Sequence, residues 1–348
     1  MGDDGFQATA ASRVPHNPAH YLAGIDIGGT GSRIAVLPFD AAEPAQTIFT
    51  ANGPGATVGA DGVCVDEALQ TLRNKAVAEI PGAVFDAVAV GMTGFATLAG
   101  DPTGLCHTVA AMFDCPHVAL AADAVTAHLG ALGGRAGAVV VAGTGVIGFG
   151  ADHRGTVTRV DGWGHLLGDH GGGAWIGMHG LQCTLDAYSG RYGAPSPMLL
   201  ERAIARFGDP GQWPKQLYTR DDRAGVLASF APDVMACAAQ GDGPSAGIIH
   251  RAGEELAATA RASLAGGLPK LVAFSGSIIA HCPVIRETAI EQLHRIDPGI
   301  DVIDPLGTPL DGAARLAMAV SRGDVRDHAP YLAVLNGRVR DDGPQQSR

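Results

Sequence analysis

The chain has 348 residues, enough for two domains whose cores need neither disulfides nor a structural metal. Its composition, 46% hydrophobic and 17% charged, is typical of a globular protein and excludes a largely disordered one. The formal net charge of −11, with no basic run longer than two residues, argues against a nucleic-acid surface.

The ends of the chain and its cysteines indicate a cytoplasmic protein. Residues 1–20 lack periodicity and an apolar core, so we expect a disordered leader and not a signal peptide. No apolar stretch reaches about 18 residues, so no membrane span is expected. Six cysteines at irregular spacing are typical of free thiols in a reducing compartment. Residues 324–348 predict a polar tail with one short docked helix near Tyr331–Leu335.

The first part of the chain predicts a mixed α/β unit. Strands are predicted at Tyr21–Ile27, Ser32–Leu37, Gln46–Thr50, Ala87–Val90 and Val118–Ala121, and helices at Val63–Ile80 and Ala124–Leu132. The first two strands are joined through Gly28, Gly29, Thr30 and Gly31, which predicts a β-hairpin with a glycine-rich turn.

The same pattern begins again near residue 138. Strands are predicted at Ala138–Ala142, Val146–Gly150, Thr156–Val160, Leu271–Phe274 and Asp301–Ile303, with helical sequence over Gly171–Leu264, Pro283–Ile296 and Leu310–Ser321. The tripeptide Gly-Thr-Gly occurs at 29–31 and again at 143–145, each time between two strands. We interpret this as an internal repeat of two α/β domains.

The first glycine-rich turn has the groups that a phosphate requires. Glycines let backbone N–H groups approach an anion closely, and the Thr30 hydroxyl adds a donor. Asp26 ends an otherwise apolar strand, where a carboxylate is costly without a function. Such a carboxylate can hold Mg²⁺ directly or through water.

Two further segments allow more than one interpretation. The run Gly143–Gly148 also matches a dinucleotide fingerprint, with Asp161 in the position of its acid. That fingerprint must open a helix, whereas strands follow here, so we favour a second phosphate hairpin over a Rossmann unit. Asp123 stands between a strand and a helix, and it suits a helix cap and a catalytic group equally.

The segment Gly162–Gly173 contains six glycines, two histidines, one aspartate and one tryptophan. This composition favours a ligand-binding loop, and an aromatic ring beside polar groups suits a sugar or a nucleobase. Zinc binding by His165 and His170 is an alternative that lacks a third ligand nearby. Asp169 could instead cap a helix that starts at Gly171.

Together these motifs resemble a known family. They are Asp26-x-Gly-Gly-Thr, Asp123, Gly143-Thr144-Gly145, Gly162-Trp163-Gly164-His165-x-x-Gly168-Asp169 and Ser275-Gly276-Ser277. In this order they are similar to the N-acetylglucosamine kinase-like branch of the BadF/BadG/BcrA/BcrD ATPase family, within the actin/hexokinase/sugar kinase superfamily. The resemblance implies an α/β protein with two RNase H-like domains around an interdomain cleft. We place these domains at 21–122 and 123–323, the second with a helical insertion.

The resemblance also implies an ATP-dependent sugar kinase that uses ATP and Mg²⁺, with N-acetylglucosamine as the expected acceptor at its 6-hydroxyl. Asp123 matches the catalytic base, and Asp26 would hold magnesium through water. The ATP and phosphate residues implied are Gly28, Gly29, Thr30, Gly31, Gly143, Thr144, Gly145, Gly276 and Ser277. The sugar residues implied are Asn52, Thr93, Gly94, Gly162, Trp163, Gly164 and Asp169.

Some implications stay open at this point. The acceptor could be glucosamine or N-acetylmuramic acid, and a non-kinase ATPase that drives a partner protein is a further alternative. His170 stands where the family often has glutamate, which affects the expected sugar preference. We expect a cytoplasmic homodimer whose partners are sugar and ATP, with no nucleic acid and no membrane.

Overall fold

The computed structural model describes residues 19–59, 62–191 and 196–337. Its strands are β1 (His20–Ile27), β2 (Ser32–Pro38), β3 (Phe49–Gly53), β4 (Thr57–Gly59), β5 (Gly62–Cys64), β6 (Val84–Met92), β7 (His117–Ala122), β8 (Gly137–Ala142), β9 (Val146–Ala151), β10 (Val157–Asp161), β11 (Leu271–Ser275), β12 (Asp301–Ile303) and β13 (Leu332–Asn336). Its helices are α1 (Asp66–Glu79), α2 (Phe95–Leu98), α3 (Pro102–Phe113), α4 (Asp123–Ala131), α5 (Gly173–Tyr188), α6 (Pro197–Phe207), α7 (Trp213–Tyr218), α8 (Arg223–Ala228), α9 (Ala231–Ala239), α10 (Gly243–Ser263), α11 (Ser277–His281), α12 (Pro283–Ile296) and α13 (Pro309–Ser321).

Two mixed sheets repeat one topology, which confirms the predicted α/β class with two similar domains. The first has the order β13-β7-β6-β1-β2-β3, and the second β10-β9-β8-β11-β12. In each, three antiparallel strands are followed by strands parallel to the first of them: β1 pairs with β6, and β8 with β11. The glycine turns therefore occupy equivalent places in the two sheets.

Alternation along the strands places apolar residues on both faces of the first sheet. Ile25 and Ile27 of β1 pack in a core with α1 and α3, whereas Leu22 packs with α13 on the opposite face. In the second domain, helices α5 to α10 form the helical insertion around buried Trp213 and Phe230. Within the described ranges, no helix combines the length and apolar character that a membrane crossing requires.

Three predicted boundaries are wrong for local reasons. The third strand spans Phe49–Gly53 because a 3₁₀ turn with a proline start occupies Pro44–Gln46. The helix predicted from Val63 begins at Asp66, since residues 62–64 pair with β4 in a small hairpin. Helix α3 was not predicted at all. Of the predicted leader, residues 1–18 lie outside the described residues, and His20 already belongs to β1.

The end of the chain returns to the first sheet. Helix α13, which the sequence assigned to the second domain, packs against β1, where a Cβ on Gly24 would collide with the backbone of Ala314. The predicted docked helix near Tyr331–Leu335 is wrong, because β13 pairs there with β7, as an antiparallel edge strand. The described part of the predicted tail is therefore part of the first domain, while residues 338–348 lie outside the description.

Candidate active site

Each glycine turn is closed by a backbone hydrogen bond, over four residues (28–31) in the first turn and three (143–145) in the second. The N–H of Gly28 donates to the carbonyl of Gly31, and the N–H of Gly143 donates to the carbonyl of Gly145, both at 2.9 Å. The start of α5 packs on the second turn, since Ala174 N–H donates to the carbonyl of Thr144 at 2.9 Å. Side chains would fill the space beside such turns, and glycine leaves it open for a ligand.

The predicted Gly276–Ser277 motif adjoins the second turn. Gly276 has a φ of 101°, and a Cβ there would collide with the carbonyl of Ala142. The Ser277 hydroxyl lies 3.8 Å from where a Cβ on Gly143 would be. These residues follow β8 and β11 and are therefore neighbours at the carboxyl ends of parallel strands, where α/β proteins place ligands.

A cleft of about 460 Å³ lies between the two sheets. Its lining includes Thr93, Gly94, Asp123, Gly143, Gly145, Gly162 and Asp169, with Arg159 and Tyr331. Residues predicted from separate motifs are thus brought together from both domains. The predicted residues that do not line it are Asp26, Gly28, Gly29, Thr30, Gly31, Asn52, Thr144, Trp163, Gly164, Gly276 and Ser277.

Asp123 is the first residue of α4 and lines the cleft. Its Oδ1 accepts the N–H of Ala124 at 2.8 Å, so the carboxylate is held at the helix start. Burial raises its pKa above the ordinary value of 3.8, hydrogen bonds from Ala124 and Thr93 lower it, and nearby Asp26 raises it further. The helix-cap interpretation of Asp123 is wrong, because Ala122 occupies the cap position and no side chain caps α4. The position of Asp123 in the cleft agrees with the other interpretation, a group in the site.

Asp26 already has a cationic neighbour. Its Oδ2 accepts a hydrogen bond from Arg33 on the adjacent strand β2 at 2.8 Å. In the ranges that the structure covers, no group of three or more His, Cys, Asp or Glu side chains is arranged as a metal site. Asp26 and Asp123 offer hard oxygen ligands, which fits Mg²⁺ held largely by nucleotide phosphates and water.

Asp169 organises the glycine-rich loop. It is buried with a φ of 58°, and its Oδ1 accepts the N–H of Gly164 at 3.1 Å. Burial raises its pKa, the Gly164 hydrogen bond lowers it, and the charge of Asp161 raises it. The helix-cap alternative is wrong, because α5 begins at Gly173 with Gly172 as its cap and no side chain caps it.

Asp161 is a structural centre that the sequence analysis did not identify as part of the site. Its buried carboxylate accepts the N–H of Asp169 at 3.0 Å, the Thr259 hydroxyl at 2.6 Å and contacts His170 Nδ1 at 3.2 Å. The Asp161 φ of 59° makes the turn into the loop. His170, in place of the family glutamate, thus faces the carboxylate of Asp161.

Arg159 is the second missed residue, and it brings a positive charge into the cleft. Its guanidinium lies 4.5 Å from the centre of the Trp163 ring and donates to the carbonyl of Gly162. Its Nε is buried without a partner among the described atoms, and its charge lowers the pKa of Asp123. A single arginine in a strand gives no sequence signal that distinguishes it from a surface residue.

Asn52 is exposed on β3, and its backbone carbonyl accepts a hydrogen bond from Lys75 at 2.8 Å. Its predicted sugar contact therefore stays a prediction. Trp163 has 60% of its surface exposed, which leaves its ring available on the face away from Arg159.

We expect Gly145→Ala to raise the Michaelis constant for the acceptor. A Cβ at Gly145 would overlap the Asp169 carboxylate, so this side chain must leave its position. Gly247→Ala, on α10 with open space around it, is the matched control and should behave like the parent protein. Steady-state kinetics of both variants would test this, and an unchanged acceptor constant in Gly145→Ala would contradict the role given to Asp169.

Comparisons with known proteins agree with this architecture. A family model described as the BadF/BadG/BcrA/BcrD ATPase family matches residues 23–317. A protein from Clostridium acetobutylicum named N-acetylmuramic acid/N-acetylglucosamine kinase is 26% identical over 173 residues. That match covers 49% of this chain and only 55% of the relative.

Solved structures with the same fold agree with this family match. A Chromobacterium violaceum protein described as an N-acetylglucosamine kinase has a TM-score of 0.65 at 26% identity, covering 86% of this chain and 99% of its own. A ROK family glucokinase from Streptomyces griseus has a TM-score of 0.55 at 19% identity, covering 85% and 98%, and shares the fold. The two-domain sugar-kinase fold is thereby confirmed.

Proposed function

The chain belongs to the BadF/BadG/BcrA/BcrD ATPase family, and from this we propose that it is an ATP-dependent kinase of an amino sugar, with N-acetylglucosamine phosphorylated at its 6-hydroxyl. One observation carries the proposal. Asp123, a half-buried acid with a raised pKa, lies in one cleft with Gly143, Gly145 and Asp169. A base, a phosphate-sized backbone site and a hydroxyl acceptor are the parts that phosphoryl transfer to a sugar requires.

In this mechanism the protein mainly positions groups and stabilises charge. The sugar oxygen forms a bond to the γ-phosphorus as the bond to the β-phosphate oxygen breaks, and the hydroxyl proton passes to Asp123. A sugar hydroxyl is a weak acid, so Asp123 takes the proton late, as the new bond forms. The Arg159 cation lines the same cleft, and its charge lowers the pKa of Asp123 against the larger effect of burial.

The turns and the loop have separate tasks. The N–H groups of the turns at 28–31 and 143–145 would bind the phosphates, with Gly276 and Ser277 on the adenosine side. Asp169 would accept hydrogen bonds from sugar hydroxyls, and Trp163 would cover the ring. Asp26 and Asp123 would hold Mg²⁺ through water, and the ion supplies positive charge at the transferred phosphoryl group.

The choice of sugar rests on the relatives. The clostridial relative acts, by its name, on N-acetylmuramic acid and N-acetylglucosamine. N-acetylmuramic acid therefore remains an alternative acceptor. Glucosamine remains one from the family resemblance. His170 replaces the family glutamate, and it contacts the carboxylate of Asp161. An acid is therefore still present at this place in the loop.

The test measures ADP release by the full chain with N-acetylglucosamine, glucosamine, N-acetylmuramic acid, N-acetylmannosamine and glucose in turn. We expect release to depend on sugar and to be fastest with N-acetylglucosamine. Sugar-independent ADP release would instead indicate an ATPase that drives a partner protein. Identification of the 6-phosphate by NMR would then settle the hydroxyl.

We expect Asp26→Ala to raise the magnesium concentration needed for half-maximal activity, because a carboxylate that would hold the hydrated ion is lost. Thr144→Val should raise the Michaelis constant for ATP while leaving that for sugar unchanged. Asp40→Ala, an exposed acid in the same domain, is the control. Unchanged ATP and magnesium dependence in both variants would contradict the phosphate sites proposed here.

A further inference from the structure

A second cavity of about 750 Å³, called the rear cavity below, adjoins the cleft at Tyr331. Its walls come from both domains: β9 and the turn to β10 on one side, and α13 with the segment before β13 on the other, with α4 between them. The volume is within the range of sites for small organic ligands. None of the motifs discussed above lies in it.

The charges in this cavity are unusual for an acidic protein. Four arginines line it, namely Arg154, Arg315, Arg322 and Arg326, and only two carboxylates, Asp324 and Asp327, accompany them. Among the described residues none of the four forms an ion pair, whereas six other arginines do. The Arg315 Nε is also buried without a hydrogen-bond partner. An excess of two positive charges matches the nearly double negative charge of a phosphate monoester.

The remaining walls are suited to a ring. Phe149 and Tyr331 form an edge contact with their ring centroids 5.4 Å apart. The His328 ring is tilted against Tyr331 at 6.3 Å, and aliphatic Leu129 and Leu316 lie beside them. His128 is fully buried there, and burial lowers its pKa to about 4, so its ring stays neutral. His128 therefore adds no positive charge to that of the arginines, and apolar side chains lie beside them.

We propose that this rear cavity is a second ligand site that binds a phosphate monoester carried on a ring, either a sugar phosphate or a nucleotide. Guanidinium groups bind phosphate oxygens in pairs, and aromatic and aliphatic side chains cover the ring. The positive charges that have no carboxylate partner become paired when the ligand is bound. This site is separate from the one used in the proposed reaction.

The rear cavity has a direct structural link to the cleft. Tyr331 lines both spaces, and its carbonyl accepts the N–H of Ala122, the residue before Asp123, at 2.9 Å. His328 Nε2 also reaches the carbonyl of Gly155 across the two domains at 3.4 Å. A ligand that touches both walls would fix the domains relative to one another, which makes the site regulatory if the proposed kinase activity is correct.

The test is calorimetric titration of the full chain, with the cleft saturated by sugar and a non-hydrolysable ATP analogue. The probes are glucose 6-phosphate, adenosine 5′-monophosphate, inorganic phosphate and glucose, each at millimolar concentrations. We expect one equivalent of a phosphate ester to bind, and the better ester identifies the source. Absence of binding by both esters, or equal binding of inorganic phosphate or glucose, would overturn the proposal.

Substitutions in the rear cavity test where the phosphate ester binds. Arg315→Gln should raise the dissociation constant at least tenfold, and Ala319→Phe, which fills the cavity, should abolish binding. Arg73→Gln and Ala78→Phe, on α1 across the first sheet, are the matched controls and should bind normally. If Arg315→Gln does not fold, Arg322→Gln replaces it in the binding measurement. Binding that survives all three cavity variants would place the ligand elsewhere.

The regulatory part has its own readout. The bound ester should change the Michaelis constant for sugar at least twofold in the parent protein and leave it unchanged in Arg315→Gln. Binding without any kinetic effect would overturn regulation but not the site. If no sugar is phosphorylated, the proposed function fails, whereas titration of the cavity variants still decides whether the second site exists.

Discussion

Asp123→Asn is expected to lower turnover by about 10²–10⁴-fold while the sugar still binds. The amide keeps the size of the side chain and can still accept the Ala124 N–H, so helix α4 should start unchanged. What is lost is the group that takes the proton from the sugar hydroxyl. Turnover and the dissociation constant for sugar, measured on the same preparation, separate chemistry from binding.

Asp101→Asn is the matched control for this substitution. Asp101 caps helix α3 by accepting the N–H of Gly104, so the same exchange at another helix start changes no cleft residue. It should leave turnover unchanged. Near-normal turnover in Asp123→Asn would contradict the catalytic role and leave Asp123 as only the first residue of α4.

The pH dependence follows from the same carboxylate. Because burial raises the pKa of Asp123, the base is ionised only above that raised value. The ratio kcat/KM should therefore fall as the pH is lowered, starting at a pH above the ordinary aspartate value of 3.8. This fall in kcat/KM at low pH should be absent from the residual activity of Asp123→Asn. If it persists, the titrating group is another residue.

The elements that the sequence predicted well are those whose signals are local. A β-hairpin with a glycine turn needs only its own residues, and both hairpins formed as predicted. Strand β13 gave no such signal, because its partner β7 lies about 200 residues earlier in the chain. Its apolar residues fit a helix or a strand equally when considered alone.

The site residues also divide into those with a local sequence signal and those without one. Glycine turns and Asp123 carry motif signals, so they could be proposed in advance. Arg159 and Asp161 could not, because their roles depend on contacts made in the folded chain: the Trp163 ring for one, and Thr259, 98 residues away, for the other. Their neighbours in sequence give no indication of such contacts.

Asp169→Ala is expected to raise the Michaelis constant for sugar at least tenfold and to leave that for ATP nearly unchanged. A buried carboxylate can accept hydrogen bonds from two sugar hydroxyls. Each hydroxyl left unpaired in a closed site costs about 1–3 kcal/mol, and about 1.4 kcal/mol corresponds to a factor of ten. The proposed phosphate contacts are backbone N–H groups of the glycine turns, which the substitution keeps, so the constant for ATP should not follow.

A second substitution separates sugar binding from support of the loop. Asp169→Asn keeps an oxygen that can accept the Gly164 N–H, so the loop should keep its shape while charged acceptance of sugar hydroxyls is lost. Asp209→Ala, which removes an aspartate that accepts a loop N–H outside the cleft, is the control for loop effects. Its kinetic constants should match those of the parent protein.

Thermal stability separates sugar binding by Asp169 from a purely structural role. Burial raises the pKa of Asp169, so the folded state holds its proton to higher pH than the unfolded state does. The ionised carboxylate therefore destabilises the fold above that pKa, and stability falls as the pH rises through it. Asp169→Asn should be at least as stable as the parent at pH 7, yet bind sugar less well. A loss of stability with both Michaelis constants unchanged would instead give Asp169 a purely structural role.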